Sequence, residues 1–269
     1  MLKILIDNKF SAIIEAACYW LGYQFKIGRN QLIHEASLRY PIADTLTSKG
    51  IDINRIVLEQ LHPIFKSKKI DLVIFDKNVI NPNDEKDDNK LNEVFELKIA
   101  KSDTGRYESI EHQRVFDDIA RLAYYNKWRK KACYFLMCGK YEDFKAYFVE
   151  QINEVKEEGE RVNIKERFES TEEDKSQKDN SKWQPNGLYE KWFGFIFGEE
   201  KEHEFSITDI HNSNEWGLQA FKQNYIVRKD LNYKIDDSLK IKTTCLAITS
   251  PGLEKSRTHA AGIWKIEAI

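Results

Sequence analysis

In the stretch NEVFELKIAKS (residues 92–102), Glu96 and Lys98 interrupt a run that is otherwise Val94, Phe95, Leu97, Ile99 and Ala100. Residues i and i+2 of a strand point to the same face, so the two charges project together while Phe95, Leu97 and Ile99 pack on the other side. A buried charge without a partner is costly, so this face needs an ion pair, a metal or a wet cleft. Asp71 lies near the start of the preceding apolar run KIDLVIF (residues 69–75). Pairing the two runs as a hairpin brings Asp71 and Glu96 to one end of a sheet. Two carboxylates that close repel each other unless a divalent cation joins them, and hard oxygen ligands favour Mg2+, with Mn2+ as a substitute. The alternative is that Glu96 and Lys98 pair with each other or with a neighbouring strand. Asp71 in the adjoining strand favours the metal site.

The acid-x-Lys spacing by itself carries no message in so charged a chain. It recurs at Asp88, Asp143, Glu154, Glu173 and Glu199, all in stretches that read as loops, turns or charged helices. Only the copy at Glu96 sits in an apolar strand.

Several elements must position these residues. Apolar residues at helical spacing (Phe10, Ile13, Ile14, Ala17, Leu21) predict a first helix that ends at Gly22. A second helical stretch opens on Asn30 and closes at Gly50, with Pro41 as a kink or break. INRIVLEQL alternates like a strand, KKIDLVIFDKN suits a strand buried on both faces, NPNDEKDDNK is a polar turn, and LNEVFELKIA is the returning strand. The segment ESIEHQRVFDDIARLAYYNKWRKK reads as an amphipathic helix capped by Ser109, with Ile110, Val115, Phe116, Ile119, Leu122 and Ala123 on its core face. Asp117 and Arg121 fall one turn apart, as an ion pair on an exposed face would. ACYFLMCG is a short buried strand and YEDFKAYFVEQI a further helix. This order of helix, strands, helix and strand predicts an α/β fold, a mixed sheet with helices packed on it, over residues 1–152. Residues 153–182 are dominated by charge and predict a solvated helix or disordered insertion. Residues 183–269 return to aromatic, strand-like composition, a β-rich region that extends the sheet or forms a small recognition lobe.

Composition bounds the rest. The 269 residues are 41% hydrophobic and 32% charged, enough apolar material for a proper core, and the net charge of −2 argues against indiscriminate nucleic-acid binding. The basic runs KSKK and KWRKK read first as solvated faces. No stretch resembles a membrane span, and Asp7, Lys9 and Glu15 interrupt the start before a signal-peptide core forms. Cys18, Cys133, Cys138 and Cys245 lack zinc spacing and read as reduced core residues of a cytoplasmic protein. His203, His211 and His259 show no ligand spacing.

KKIDLVIF followed by VFELKIAKS resembles the PD-(D/E)xK nuclease superfamily, which has the restriction-endonuclease-like fold. The resemblance covers residues 30–150 and includes the order of elements. Ile70 stands where the motif usually has proline. The resemblance implies that Asp71 and Glu96 hold Mg2+ together with the backbone carbonyl of Leu97, and that Lys98 orients or activates the attacking water. It implies a further glutamate from the preceding helix, for which Glu35 is better placed than Glu15. The helix after the motif offers His112, Gln113 and Arg121, and the resemblance points to Gln113, ahead of His112, as a polar residue near the phosphate. Glu59 reads as an exposed strand position, with a place in the cleft as its other reading. The activity implied is metal-dependent phosphodiester hydrolysis, a DNA endonuclease of bacterial restriction, defence or repair. RNA is not excluded as the partner, no membrane is involved, and a homodimer suits double-strand cleavage. The alternative is a catalytically inactive nucleic-acid-binding or protein-interaction module of the same fold. Repulsion between Asp71 and Glu96 further predicts that removing either carboxylate leaves the metal-free fold as stable or more so.

The charged insertion yields its own test. Replacing residues 155–180 with a short Gly/Ser linker should leave thermal stability almost unchanged, because they have little apolar surface to bury. A loss of stability beyond about 1 kcal/mol would mean that this segment packs on the core.

Overall fold

A computed structural model describes residues 8–29, 33–62, 68–79, 90–100, 108–140, 155–156, 160–161, 202–212, 238–249 and 259–269. The chain begins with helix α1 (Asn8–Lys26), a 3-10 turn (Glu35–Leu38), α2 (Arg39–Ser48) and a second 3-10 turn (Ile53–Arg55). The strands β1 (Ile56–Leu61), β2 (Lys69–Phe75) and β3 (Leu91–Ala100) follow, then α3 (Glu108–Arg129) and β4 (Ala132–Lys140). Two very short strands, β5 (Val155–Lys156) and β6 (Glu160–Arg161), pair only with each other. The chain closes with β7 (Glu202–Ser206), α4 (Ile207–Asn212), β8 (Lys240–Ile248) and β9 (His259–Ala268).

One mixed sheet of seven strands, in the order β1-β2-β3-β4-β9-β8-β7, organises the fold. β1, β2 and β3 form an antiparallel meander, α3 crosses over so that β4 runs parallel to β3, and β9, β8 and β7 continue antiparallel. The described C-terminal strands are thus part of the central sheet, with β9 hydrogen-bonded directly to β4.

Both faces of the central strands are covered, which is why β2, β3 and β4 read as nearly unbroken apolar runs. Val73, Phe75, Val94 and Phe135 pack toward α3, whose Val115, Phe116, Ile119, Leu122 and Ala123 are all buried. Leu72, Ile74, Phe95 and Leu97 pack on the opposite side against α1 and α2. The result is a sheet between two helical layers.

Local expectations need three corrections. α1 does not end at Gly22 but runs on to Lys26, because Phe25 continues the apolar stripe and packs on the core. The turn comes at Gly28, whose φ of 75° suits glycine. Pro41 does not kink a long helix, since the break precedes it. It lies buried in the first turn of α2, where its missing N–H would have no intrahelical partner anyway. Ser109 falls inside α3, which starts at Glu108. The predicted helix 141–152, nearly all of the insertion 153–182 and residues 183–201 lie outside the described residues.

All four cysteines are free thiols; Cys18, Cys133 and Cys138 are buried. No helix among the described residues is long and apolar enough to cross a membrane.

The approach of β3 to β4 is close at Gly139, where an added Cβ would lie 2.7 Å from Ala100 Cβ and 2.8 Å from the Ala100 carbonyl oxygen. Backbone cannot yield as a side chain can, so Gly139→Ala should cost about 1–3 kcal/mol. Urea denaturation checks this; an unchanged midpoint would show that the two strands part without penalty.

Candidate active site

The site arises where the β2–β3 ladder stops. Paired residues run Ile74–Glu93, Val73–Val94 and Leu72–Phe95, so the next step would set Asp71 opposite Glu96. Instead, the Asp71 carboxylate takes the place of backbone: its Oδ2 accepts the Leu97 N–H at 2.9 Å. The Leu97 carbonyl leaves the strand along the same edge as that N–H. The sheet therefore opens with two carboxylates and a backbone carbonyl directed at one place.

β1 extends the same row. Between the pairs Leu58–Leu72 and Gln60–Ile70, Glu59 stands opposite Asp71 with φ at 58°, a left-handed conformation unusual for glutamate. Arg39, the first residue of α2, spans the two acids. It donates from Nε (3.2 Å) and Nη2 to Asp71 Oδ1, and from Nη1 to Glu59 Oε1 at 2.6 Å. Lys69 holds the other Glu59 oxygen at 2.7 Å. Glu59 is thus both exposed and on the cleft, its side chain 44% accessible.

Lys98 and Glu96 share a face, yet each has other partners. Lys98 Nζ lies 3.1 Å from Glu35 Oε1 and 3.1 Å from Asp118 Oδ2. Glu96 Oε1 accepts from Arg121 Nη2 at 3.3 Å, and the same Nη2 donates to Asp118. Glu35, in the 3-10 turn leading into α2, comes from one helical layer, while Asp118 and Arg121 come from α3 in the other. The expected exposed pair of Asp117 and Arg121 is corrected: Asp117 is buried, and Arg121 turns into the site to meet Asp118 and Glu96. The side chains of His112 and Gln113 lie outside the described residues.

Electrostatics separate the two motif acids. Burial pushes the Glu96 carboxyl well above its ordinary value; Arg121 pulls the other way, while Asp118, Asp71 and a shared hydrogen bond with Asp71 add to the rise. Burial also raises Glu35, against the pull of Lys98. For Lys98 burial acts downward, but Asp118 and Glu35 outweigh it and hold the ammonium above the ordinary lysine value. Asp118 is lowered, since Lys98 and Arg121 together overcome its own burial. Lys98 is therefore a fixed positive charge.

These residues fit a divalent cation of the Mg2+ type. The donors at the open ladder are all hard oxygens, from Asp71, Glu96 and the Leu97 carbonyl, and Glu96 lacks enough positive charge to ionise easily. Among the described residues no cluster of three or more His, Cys, Asp or Glu side chains with metal-holding geometry is found.

Sequence reasoning had brought Asp71, Glu96, Lys98 and Glu35 together, and the structure does the same. Arg39 and Asp118 were missed, and Arg121 was offered by the helix after the motif without a role. For Asp118 a signal existed: it occupies a core position in the row Val115, Asp118, Ile119, Leu122, where an acid must have a partner. No family model matches the chain, and neither do any curated proteins or solved structures.

The expectation that loss of either motif acid is harmless now divides. Asp71→Ala strands the Leu97 N–H and two Arg39 donors, so it should destabilise the metal-free protein by about 1–3 kcal/mol. Glu96→Gln should do the reverse at high pH. The folded Glu96 holds its proton above the ordinary 4.5 at which the unfolded chain releases it. Stability therefore falls as pH rises from that value through the folded pKa, and Gln removes the penalty. Thermal unfolding against pH should show Glu96→Gln gaining on wild type as pH rises above the ordinary glutamate value and losing the advantage in acid. Both variants moving in the same direction at high pH would refute this assignment.

Proposed function

We propose that this chain is a divalent-cation-dependent phosphodiesterase acting on DNA, an endonuclease of the PD-(D/E)xK type with a restriction-endonuclease-like core. The observation that carries the reading is the meeting of Asp71 and Glu96 across the open end of β2–β3, with Lys98 on the same face. The order of helices, antiparallel meander, α3 crossover and parallel β4 agrees with that core. RNA is the substrate alternative, a homodimer suits double-strand cleavage, and a cytoplasmic setting fits four free thiols.

Asp71, Glu96 and the Leu97 carbonyl would hold Mg2+ or Mn2+. Such an ion lowers the pKa of a bound water and neutralises charge on the phosphate. Lys98, fixed in its charged form, orients the water or a non-bridging phosphate oxygen and does not take the proton. Glu35, 3.1 Å from Lys98 and with a raised carboxyl, is the nearby acceptor for the water proton. The water oxygen bonds to phosphorus, the opposite P–O ester bond breaks, and the departing oxygen leaves as a hydroxyl after protonation from solvent.

The second reading is an inactive binding or interaction module. In its favour, Arg39 and Arg121 already touch both motif acids. Incubation of plasmid with the purified chain and Mg2+ or Mn2+ separates the two readings.

Lys98→Met keeps the stem and removes the charge, while Lys98→Arg keeps charge in a bulkier planar head that cannot reproduce the point contact with both Glu35 and Asp118. Both should bind DNA and metal yet cleave at least about a hundredfold more slowly. Cleavage by Lys98→Met within a fewfold of wild type would rule out this role.

A further inference from the structure

Arg39 sits where a cation would act. It engages Asp71 Oδ1 through two donors and reaches Glu59 with a third. Its side chain is 13% exposed, so it belongs to the site and not to the surrounding solvent. Glu59 is held for this contact in a left-handed backbone conformation, the kind of local strain that persists where geometry serves a purpose. The Glu59 carboxylate is the more open of Arg39's two acceptors, 44% against 14% for Asp71. One guanidinium is therefore shared between an inner acid, hydrogen-bonded to the Leu97 amide, and a more exposed outer acid one strand away.

We propose that Arg39 is the site's resident cation, which neutralises Asp71 in the metal-free protein and passes to Glu59 when a divalent cation binds. This inference rests on the metal-site reading and adds how occupancy is regulated. Two positive charges cannot both crowd the Asp71 carboxylate at no cost, so metal binding must weaken the Arg39–Asp71 contact. Glu59 makes the displacement easy, because Arg39 already donates to it and needs only to give up the inner half of its contacts. Lys69, bound to the second oxygen of Glu59, holds that acid in place as the receiver. In the metal-free state the same arrangement spares Asp71 from standing unpaired beside Glu96.

The exchange makes two predictions of opposite sign. Arg39→Gln removes the competitor, so Mn2+ should bind about tenfold or more tightly. Glu59→Gln removes the receiving charge and leaves Arg39 committed to Asp71, so Mn2+ should bind more weakly by a similar factor. Arg39→Lys keeps the charge without the fork and should fall between wild type and Arg39→Gln. It also serves if Arg39→Gln folds poorly.

The test is calorimetric titration of the metal-free full chain with Mn2+, repeated with Mg2+, with thermal unfolding as a check on folding. Tighter binding by Arg39→Gln together with weaker binding by Glu59→Gln is the expected result. Equal affinities in wild type and Arg39→Gln, or weaker binding in the latter, would overturn the exchange while leaving the metal site standing. Absence of binding in wild type and in both Arg39 variants would overturn the metal-site reading and the exchange together.

Discussion

The Leu97 N–H bond to Asp71 Oδ2 is the contact on which the site depends. At that step a side-chain carboxylate does what the β2 backbone does at Leu72, Val73 and Ile74. The substitution stops the ladder without orphaning the Leu97 amide. Because the strands part there, a second acid can stand across from the first, and a backbone carbonyl is directed at the gap. A hydrophobic residue at position 71 would close the sheet and leave Glu96 sealed beneath α3.

Opening the ladder creates an electrostatic problem that no single layer of the fold solves. Glu96 and Lys98 face α3, yet their partners are drawn from both helical layers. Asp118 and Arg121 come from α3, while Glu35 comes from the entry to α2, next to Arg39, which serves Asp71. The chain of contacts runs Glu35, Lys98, Asp118, Arg121, Glu96, so Lys98, Asp118 and Arg121 each have an opposite neighbour. Breaking one link leaves an uncompensated charge, which is far more costly than the link's own net contribution. That ties the two layers together at the site.

The strands were legible from sequence because burial on both faces writes itself as continuous apolar runs, and any charge within such a run stands out. Glu96 and Lys98 were visible for that reason. The partners were not, because an ion pair between distant elements leaves no trace in spacing. Arg121 shows how local reasoning misleads: Asp117 at i−4 offers the favourable surface spacing, but the bond goes to Asp118 at i−3 and on to Glu96. Gly22 and Pro41 were misjudged for a related reason. Packing of Phe25 outweighs a mid-helix glycine, and the first turn of α2 accommodates a proline that a longer helix would not. Arg39 was hidden in a stretch read as helix, with its two acceptors 20 and 32 residues away.

The two motif acids end in different states, and the difference follows from their positions in the sheet. Asp71 stands one strand from the edge, where a backbone amide and a guanidinium both reach it. Glu96 stands one strand further in, almost fully buried, sharing a hydrogen bond with Asp71 and a long contact with an arginine that Asp118 holds more closely. Asp71 thus has close cationic and amide partners, while burial dominates at Glu96. In the proposed reaction, the free energy gained from a divalent cation would come mainly from Glu96, whose ionisation the ion would make favourable, while Asp71 would contribute direction and exchange one cation for another. Metal affinity and pH would then be linked, since binding would release the proton that Glu96 otherwise keeps. The row of acids across β1, β2 and β3 is graded from solvent inward: Glu59 is open, Asp71 is paired, and Glu96 is short of positive charge. In the proposed reaction, a cation entering along that row would meet increasing demand for its charge at each step.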